Sequence, residues 1–388
     1  MPRPEIIFAA GRRTPLGRFG GGLRDVPMRD QAAHAVRASL NAAALAPDAI
    51  DHFVFSTTVP TDRDSLFAAR VVSVRAGLPE KIPALCVTRA CASGLQALIS
   101  AAQQIETGHS RRAIAAGAEV FSRVPHVAPA ARHGQARGAM VLEDMLDWAY
   151  RCPFSQDYMG ETAEALADDF GYTRGAMDDW AARSQRLAQA AQGFLARQIA
   201  PIETPTGLLA HDEGRRADAT LDRLAQLRPA FREGGRVTAG NSSGVTDGAA
   251  AMIVAAREAA VGLGLCLRLV DWVAVGVPPR IMGHGPVPAI TALLDKNGLS
   301  VGDIDYFEIN EAFAVVNLHA EARLGIPRDR HNLYGGGISV GHPPAVTGIR
   351  MAMTALDHLH DTGGRRAVLS MCLGAGQGMA MLVEADTV

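Results

Sequence analysis

Lysine is almost missing from this chain: of 38 basic residues, only Lys81 and Lys296 are lysines. Arginine is so favoured alongside alanine and glycine that the shortage reads as coding bias, with no functional message. No apolar run approaches the roughly 18 residues that a membrane span requires, so no transmembrane helix is expected. Net charge is equally scarce. A formal charge of −2 and an isoelectric point near 6.6 leave no electrostatic footprint for nucleic acid. Cysteine is sparse and odd in number, at Cys86, Cys91, Cys152, Cys266 and Cys372. That argues against a secreted disulfide framework and for reduced thiols in a cytoplasmic protein. No CxxC or HxxxH spacing offers a metal site, and neither a Gly-Lys-Ser/Thr phosphate loop nor a convincing GxGxxG fingerprint is present. The N-terminus has no long apolar signal region; Pro4-Glu5-Ile6-Ile7-Phe8-Ala9-Ala10 reads as a first strand.

What is present is an ordinary core-forming composition, 48% apolar and 20% charged, spread over 388 residues. That length exceeds one ordinary core. The chain also repeats itself. Ile50-Asp51-His52-Phe53-Val54-Phe55-Ser56 resembles Ile304-Asp305-Tyr306-Phe307-Glu308-Ile309-Asn310 at an offset of 254 residues, and the same offset carries Arg111-Arg112-Ala113-Ile114 onto Arg365-Arg366-Ala367-Val368. Each copy alternates strands (113–116, 367–371) with helical stretches (95–105, 348–359), an α/β pattern. Two such units would set their sheets side by side, with a site where their loops meet. The expected division is an N-terminal domain at 1–120, completed by about 237–265, and a C-terminal domain at 266–388. Between them, 121–236 changes character and reads as an inserted loop domain: His, Arg, Gly and Pro punctuate 122–138, a long amphipathic helix is expected over 178–198, and 212–228 is strongly charged.

Three segments each set one reactive side chain beside glycine or other small residues. Cys91, in Arg89-Ala90-Cys91-Ala92-Ser93-Gly94, follows the apolar stretch 82–87 and opens a helix over 92–106. A thiol at a helix N-terminus feels the positive end of the dipole, which predicts a pKa well below the roughly 8.5 of free cysteine. An arbitrary cysteine is more often inert core, but the strand-to-helix setting and small neighbours reverse that preference here. His342 follows Gly335-Gly336-Gly337-Ile338-Ser339-Val340-Gly341 and precedes a helix expected around 347–359. The 254-residue offset aligns Cys91 with Ala345, three residues from His342, so the repeat brings nucleophile and base to matching helix starts. Cys372 ends the strand 367–371 and precedes Gly374-Ala375-Gly376-Gln377-Gly378, whose N–H groups can stabilise an oxyanion. Asn310 supplies an amide just after an apolar strand; Glu311 beside it reads as a structural carboxylate, and Cys86, Cys152 and Cys266 as packing residues. A thiol to attack, an imidazole to activate it and a second thiol to move a proton suit carbon–carbon bond chemistry on a thioester.

At these residues the chain resembles the thiolases, or acetyl-CoA acyltransferases. The ordered set includes Arg13-Thr14-Pro15-Leu16-Gly17, Cys91-Ala92-Ser93-Gly94, Met159-Gly160-Glu161-Thr162-Ala163-Glu164, Leu227-Arg228-Pro229-Ala230-Phe231 and Thr238-Ala239-Gly240-Asn241-Ser242-Ser243-Gly244. It continues through Met282-Gly283-His284-Gly285-Pro286, Asn310-Glu311-Ala312-Phe313-Ala314, Gly341-His342-Pro343 and Cys372. The resemblance implies a duplicated fold layered αβαβα, and CoA-dependent cleavage of 3-ketoacyl-CoA by a ping-pong route through acyl-Cys91, in β-oxidation or a related degradation. It implies that His342 activates Cys91 and that Cys372 protonates the departing acetyl-CoA enolate. Asn310, through a water, and His342 would hold the thioester oxygen, and the amides of Cys91 and Gly374 the oxygen of the acylated cysteine. Arg216 would lie near the CoA phosphates, with Ser243, Ala239, Phe231, Met159, Met282, Ala312 and Phe313 along the pantetheine path. CoA is then a substrate and no metal or other cofactor is implied. A homodimer or homotetramer is implied, with room for a hydratase–dehydrogenase partner subunit.

The chain departs from the family pattern at Pro344-Ala345-Val346-Thr347, bulkier than usual after Gly-His-Pro, and at Ala375, where glycine is common. Tyr158 stands where acetoacetyl-CoA-forming members often carry histidine, which weakens the biosynthetic alternative. A decarboxylating ketoacyl synthase does not need the second thiol, and a non-catalytic acyl-CoA-binding protein would not need all four reactive positions.

Overall fold

The computed structural model describes residues 4–134 and 137–388. Its strands are β1 (Ile6–Arg13), β2 (His52–Ser56), β3 (Ala84–Val87), β4 (Arg112–Glu119), β5 (Thr246–Ala256), β6 (Leu265–Gly276), β7 (Tyr306–Ile309), β8 (Arg366–Leu373) and β9 (Gln377–Thr387). They join in the order β7-β8-β9-β6-β1-β5-β4-β2-β3, with the short strand Gly17–Arg18 pairing on β5. The first half contributes β3-β2-β4-β5-β1 and the second β7-β8-β9-β6, and antiparallel pairing of β1 with β6 joins them. Within each half the outer pairs are parallel and the inner ones antiparallel.

The repeat is visible in the hydrogen bonds. The Asp51 carboxylate accepts from the N–H groups of Arg111 and Arg112, and the Asp305 carboxylate from those of Arg365 and Arg366. Asp51 N–H donates to Arg112 O and Asp305 N–H to Arg366 O, both at 3.0 Å. The same aspartate ties the same strand start in both copies. Where β3 pairs with β2, the second half keeps only a parallel bridge between His331 and Phe307.

The main helices are α1 (Met28–Ala42), α2 (Ala68–Arg75), α3 (Ser93–Glu106), α4 (Met159–Phe170), α5 (Arg174–Ala190), α6 (Pro286–Lys296), α7 (Ala314–Leu324) and α8 (Pro344–Thr362). Strand alternation distributes them over two faces. Ala113 and Ala115 of β4 and Leu369 and Met371 of β8 face one core with α3 and α8. Ile114, Ala116 and Ala118 turn outwards to α1 and α2, while Val368 and Cys372 turn outwards to α6 and α7. The result is the expected layering of helices, sheet, helices, sheet and helices. α3 and α8 cross at a pair of glycines. A Cβ on Gly94 would stand 2.9 Å from Ala345 O and 3.0 Å from Gly348 N, and one on Gly348 would stand 2.9 Å from the Gly94 carbonyl carbon. These two glycines are themselves 254 residues apart, so the repeat crosses on its own equivalent position.

Three local expectations are corrected. The helix expected over 178–198 begins earlier, at Arg174, because Thr173 Oγ1 caps it by accepting Ala176 N–H, and it stops at Ala190 before a separate turn Gln192–Ala196. α8 starts at Pro344 rather than near 347; proline at the first helical position has φ preset and no N–H to satisfy. Cys86 is exposed on the edge strand β3, whereas Cys152 and Cys266 are buried.

Residues 121–236 carry α4, α5 and two short hairpins, His126–Val127 with Glu143–Asp144 and Ile202–Thr204 with Gly207–Leu209. A fully buried ion pair staples this region to β1: Arg13 Nη1 donates to Asp212 Oδ1 at 2.6 Å and Nη2 to Oδ2 at 3.0 Å, and Leu16 N–H joins at 2.9 Å. Gly348→Ala is expected to lower unfolding free energy by about 1–3 kcal/mol in urea denaturation, since the Leu95 N and the Gly94 carbonyl carbon, which cannot move aside, stand in the space beside Leu95 Cγ. Gly175→Ala, in α5 with nothing within 4 Å, serves as the contrast and should stabilise by about 0.5–1 kcal/mol.

Candidate active site

The reactive side chains collect where α3 and α8 begin and the parallel strands end. β3 runs into the turn that carries Cys91. Ala90, just before it, is held at φ 44°, a left-handed conformation costly for alanine. Ser93 braces that turn, its Oγ accepting Arg89 N–H at 2.8 Å and donating to Ala90 O at 2.7 Å. From the other half, the Gly374 N–H turns on the Cys91 sulfur, as does Cys91's own N–H. Ala375 follows at φ 66°, so the alanine that replaces the usual glycine sits in strained backbone.

Asn310 and His342 meet directly: Asn310 Nδ2 lies 3.2 Å from His342 Nε2. On the other side of the ring, Nδ1 lies 2.7 Å from Thr347 Oγ1, and that hydroxyl donates its one hydrogen to Pro343 O at 2.9 Å. Thr347 can then only accept from Nδ1–H. This puts the proton on Nδ1 and makes Nε2 the acceptor that faces Asn310 Nδ2. The loop bearing His342 is pinned by Glu311, which accepts from Trp180 Nε1 at 3.0 Å, Ser184 Oγ at 2.6 Å and Ile338 N–H at 3.2 Å. His342 N–H reaches back to Thr246 Oγ1 of β5 at 3.2 Å.

Burial dominates the electrostatics. It holds the His342 imidazole down at about 3, with the Arg350 charge adding to the effect. It pushes the Cys372 thiol far above its ordinary range, and the neighbouring Cys91 pushes the same way. It also raises the Cys91 thiol, against the pull of the two facing N–H groups. The expectation of a depressed Cys91 pKa is therefore overturned: losing water costs the thiolate more than the helix end returns. At neutral pH the resting site holds a thiol and a neutral imidazole, not an ion pair. Glu119, at the end of β4, accepts from Thr58 Oγ1 at 2.7 Å and from the Thr58 and Val59 N–H groups, yet burial raises it to about 7.

A groove of about 830 Å³ leads away from this point. It ends at Thr246 and Gly341, the residue before His342, and its wall carries Arg18, Arg215, Arg216 and Arg223. Of the residues expected along a CoA path, Arg216 and Ala239 line it, and Ser243 stands between its lining residues Ser242 and Gly244. Met282, Ala312 and Phe313 lie in an apolar cluster, with Met159 and Phe231 packed against it. Met159 borders the reactive centre, its methyl 3.2 Å from where a Cβ on Gly374 would stand. Tyr158 is occupied elsewhere: its hydroxyl donates to Asp147 Oδ1 at 2.5 Å and its ring lies under Arg151. Thr347, Glu119, Tyr150 and the further groove arginines were not anticipated; only the spacing of Thr347 behind His342 on one helix could have signalled any of them.

A duplicated α/β fold that turns a cysteine, a second cysteine, a histidine and an asparagine on one point defines an acyl-transfer site. The comparisons place it more closely. The family models described as Thiolase, N-terminal domain and Thiolase, C-terminal domain match residues 6–258 and 264–385. The chain belongs to the thiolase family of acyltransferase enzymes. It is 41% identical to Beta-ketothiolase BktB of Cupriavidus necator over 389 residues, 98% of this chain and 99% of that one. It is 39% identical to Beta-ketoadipyl-CoA thiolase of Pseudomonas putida over 396 residues, with the same shares. Human mitochondrial 3-ketoacyl-CoA thiolase in complex with CoA superposes at a TM-score of 0.94 and 35% identity, covering 99% of this chain and 98% of its own. The Bacillus anthracis acetyl-CoA acetyltransferase superposes at 0.95 and 35% identity, covering 99% of both.

Two expectations test the site. Alkylation of Cys91 by iodoacetamide should climb with pH beyond about 8.5 with no plateau near neutrality; a plateau below pH 7 would sink the neutral-pair description. Thr347→Val should lower kcat by about tenfold, the upper end for one hydrogen bond, with KM little changed, and Thr347→Ser should restore it. A Thr347→Val enzyme with unchanged kcat would remove the hydroxyl from tautomer control.

Proposed function

We propose that this chain cleaves 3-ketoacyl-CoA with CoA to give acetyl-CoA and a shortened acyl-CoA, and runs the reverse Claisen condensation, through an acyl-Cys91 intermediate. The observation that carries the reading is the Gly374 N–H turned on the Cys91 sulfur beside the Cys372 thiol. His342 Nε2 takes the Cys91 proton as sulfur attacks the C3 carbonyl carbon. The N–H groups of Cys91 and Gly374 hold the resulting alkoxide oxygen. The C2–C3 bond breaks, Cys372 gives its proton to C2, and Asn310 with His342 steadies the enolate oxygen. In the second half, Cys372 thiolate takes the proton of the CoA thiol, whose sulfur displaces Cys91; His342 returns the first proton. Neutral partners suit this sequence, since each proton moves only when its acceptor becomes basic.

CoA would lie in the groove, with Arg216 near its phosphates and Arg18, Arg215 and Arg223 on the same wall. Met159 and the Phe231 and Phe313 pair would border the thioester end. The proposed chemistry uses CoA as substrate and no other cofactor. A degradative role on chains longer than acetoacetyl fits Tyr158 better than a biosynthetic one. A homodimer, or a tetramer of dimers, is supported by the edge strand β3, whose Leu85 and Cys86 are exposed next to Leu66 at 81% and Phe67 at 70% exposure. No helix among the described residues is long and apolar enough to cross a membrane, and we place the enzyme in the cytoplasm.

Mass spectrometry after incubation with an acyl-CoA should find an adduct on the wild-type protein that is absent from Cys91→Ser. Cys372→Ser should still acylate but lose about 10²-fold or more in turnover, the lower range for a lost acid–base group. No adduct on the wild-type protein would favour a binding protein instead. Normal turnover of Cys372→Ser would remove its role, and preference for acetoacetyl-CoA over longer chains would replace the degradative reading.

A further inference from the structure

Strand alternation sends Tyr306, Glu308 and Asn310 to the face of β7 that meets α8, while Phe307 and Ile309 pack on the other side. Asn310 extends the strand by one residue, its N–H still donating to Ser370 O of β8 at 2.9 Å. Each of the three meets a side chain of α8 or of its entry. Asn310 Nδ2 lies 3.2 Å from His342 Nε2. One oxygen of Glu308 accepts from Arg350 Nη1 and the other from the Tyr306 hydroxyl. The Tyr306 ring lies 4.4 Å from that of His358, centroid to centroid. Glu308 and Arg350 are both buried, and Nε and Nη2 of Arg350 have no hydrogen-bond partner among the described residues. Glu308 is therefore the group that holds this guanidinium. The repeat shows that the layer does not require such a pair. At the offset of 254 residues Glu308 aligns with Val54 and Arg350 with Gln96. Val54 is buried among apolar residues, and the Gln96 amide donates to Ser100 Oγ of its own helix at 2.9 Å. The first copy builds the same layer without charge; the ion pair stands in the copy that also carries Asn310 and His342.

We propose that Glu308 and Arg350 are a positioning pair for the reaction: their buried ion pair sets the register of α8 on β7 and so holds His342 Nε2 against Asn310 Nδ2. Buried charges seldom add net stability over apolar packing, since desolvation offsets attraction. What they add is direction. Apolar contact is non-directional, so a helix held by it alone can shift along a strand at little cost. A guanidinium facing one carboxylate oxygen cannot shift without stranding both charges. The Tyr306 hydroxyl holds the other oxygen, which fixes the orientation of the carboxylate. Glu308 stands two residues from Asn310 on one strand face, and Arg350 lies three residues, about one helical turn, beyond the Thr347 that holds His342 Nδ1. A displacement at the ion pair is thus carried by rigid backbone to both members of the Asn310–His342 contact. Neither Glu308 nor Arg350 lines the groove. They act through the amide and imidazole that steady the enolate oxygen, where a small misplacement lowers the rate.

The inference rests on the thiolytic reading above, and the experiment separates their failures. Thiolysis of 3-oxohexanoyl-CoA would be followed in the wild type and in a triple variant, Tyr306→Phe with Glu308→Leu and Arg350→Met, which trades the whole network for apolar groups. Thermal melting accompanies each assay. The triple variant should melt close to the wild type, yet its kcat should fall by about tenfold, within the range for coupled neighbours. KM for CoA should change by less than about twofold, because the groove lies elsewhere. The loss should depend on Asn310. In an Asn310→Ala background, itself slowed, the same three substitutions should change kcat by less than about twofold, since no amide is left to place. Glu308→Gln alone keeps the volume and one acceptor, and repeats the comparison if the triple variant does not hold its fold: a loss of about three- to tenfold that Asn310→Ala abolishes. Wild-type kcat in the folded variant, or an equal loss in both backgrounds, overturns the positioning role and leaves the thiolase reading standing. No turnover by the wild type, with no acyl-Cys91 adduct, overturns both.

Discussion

The close crossing of α3 and α8 is the constraint on which the site depends. Each helix offers a glycine at the contact, and each glycine meets backbone of the other helix, Gly348 also the Leu95 side chain. The helices can approach only because neither carries a Cβ there. Cys91 lies three residues before Gly94 and His342 six before Gly348, so the crossing that buries the glycines also brings the two helix starts to one place. β1 and β6 close the sheet beneath them, and the small residues Ala113, Ala115 and Gly117 let α8 sit low against β4. Ser56 Oγ donates to Ala345 O at 3.0 Å across the two halves, so the start of α8 is bonded to the first copy as well as to its own. Any widening at the glycines would separate groups that the strands hold rigidly on either side.

That tightness has an electrostatic consequence. A crossing close enough to align thiol and imidazole also buries the imidazole and leaves the thiol only partly exposed. The helix ends then act on groups that burial has already discharged. The N–H groups of Cys91 and Gly374, turned on the sulfur, offset only part of that cost. Thr347 completes the arrangement by fixing which imidazole nitrogen carries the proton. The bulkier stretch after Gly-His-Pro thus has a definite use: its threonine holds the ring, and its proline starts the helix.

Much of this was legible in the chain because the repeat reaches the hydrogen-bonding residues. Asp51 with Arg111 and Arg112 recurs as Asp305 with Arg365 and Arg366, and the recurrence is the same backbone staple twice. The four reactive positions were legible because each follows a strand and meets small residues, a setting with few structural uses. The charge state of Cys91 was not legible. A helix dipole is a local property, whereas desolvation depends on what the inserted region and the second copy place over the thiol. Cys86 failed for the same kind of reason: nothing in Ala84-Leu85-Cys86-Val87 says that it forms an edge. Tyr150 and Glu119 were missed because they join the site through tertiary contacts, far from any glycine-rich signal.

Residues 121–236 are tied to the rest of the fold by many polar links, and the buried ones fix position. Arg13 and Asp212 form one; Glu311 with Trp180 and Ser184 forms another. Buried pairs of this kind add little net stability against apolar packing, but losing one partner strands a charge and costs about 3–5 kcal/mol. They are therefore better suited to fixing position than to adding strength. Asp212 is followed by Glu213, Gly214, Arg215 and Arg216, the wall of the groove, so the link to β1 sets where the cationic wall stands relative to Cys91. Among the described residues the stretch that carries Tyr150 has no such fully buried ion pair; its polar contacts, such as Arg151 with Asp147, are part exposed. The groove side of the site is thus fixed by charge.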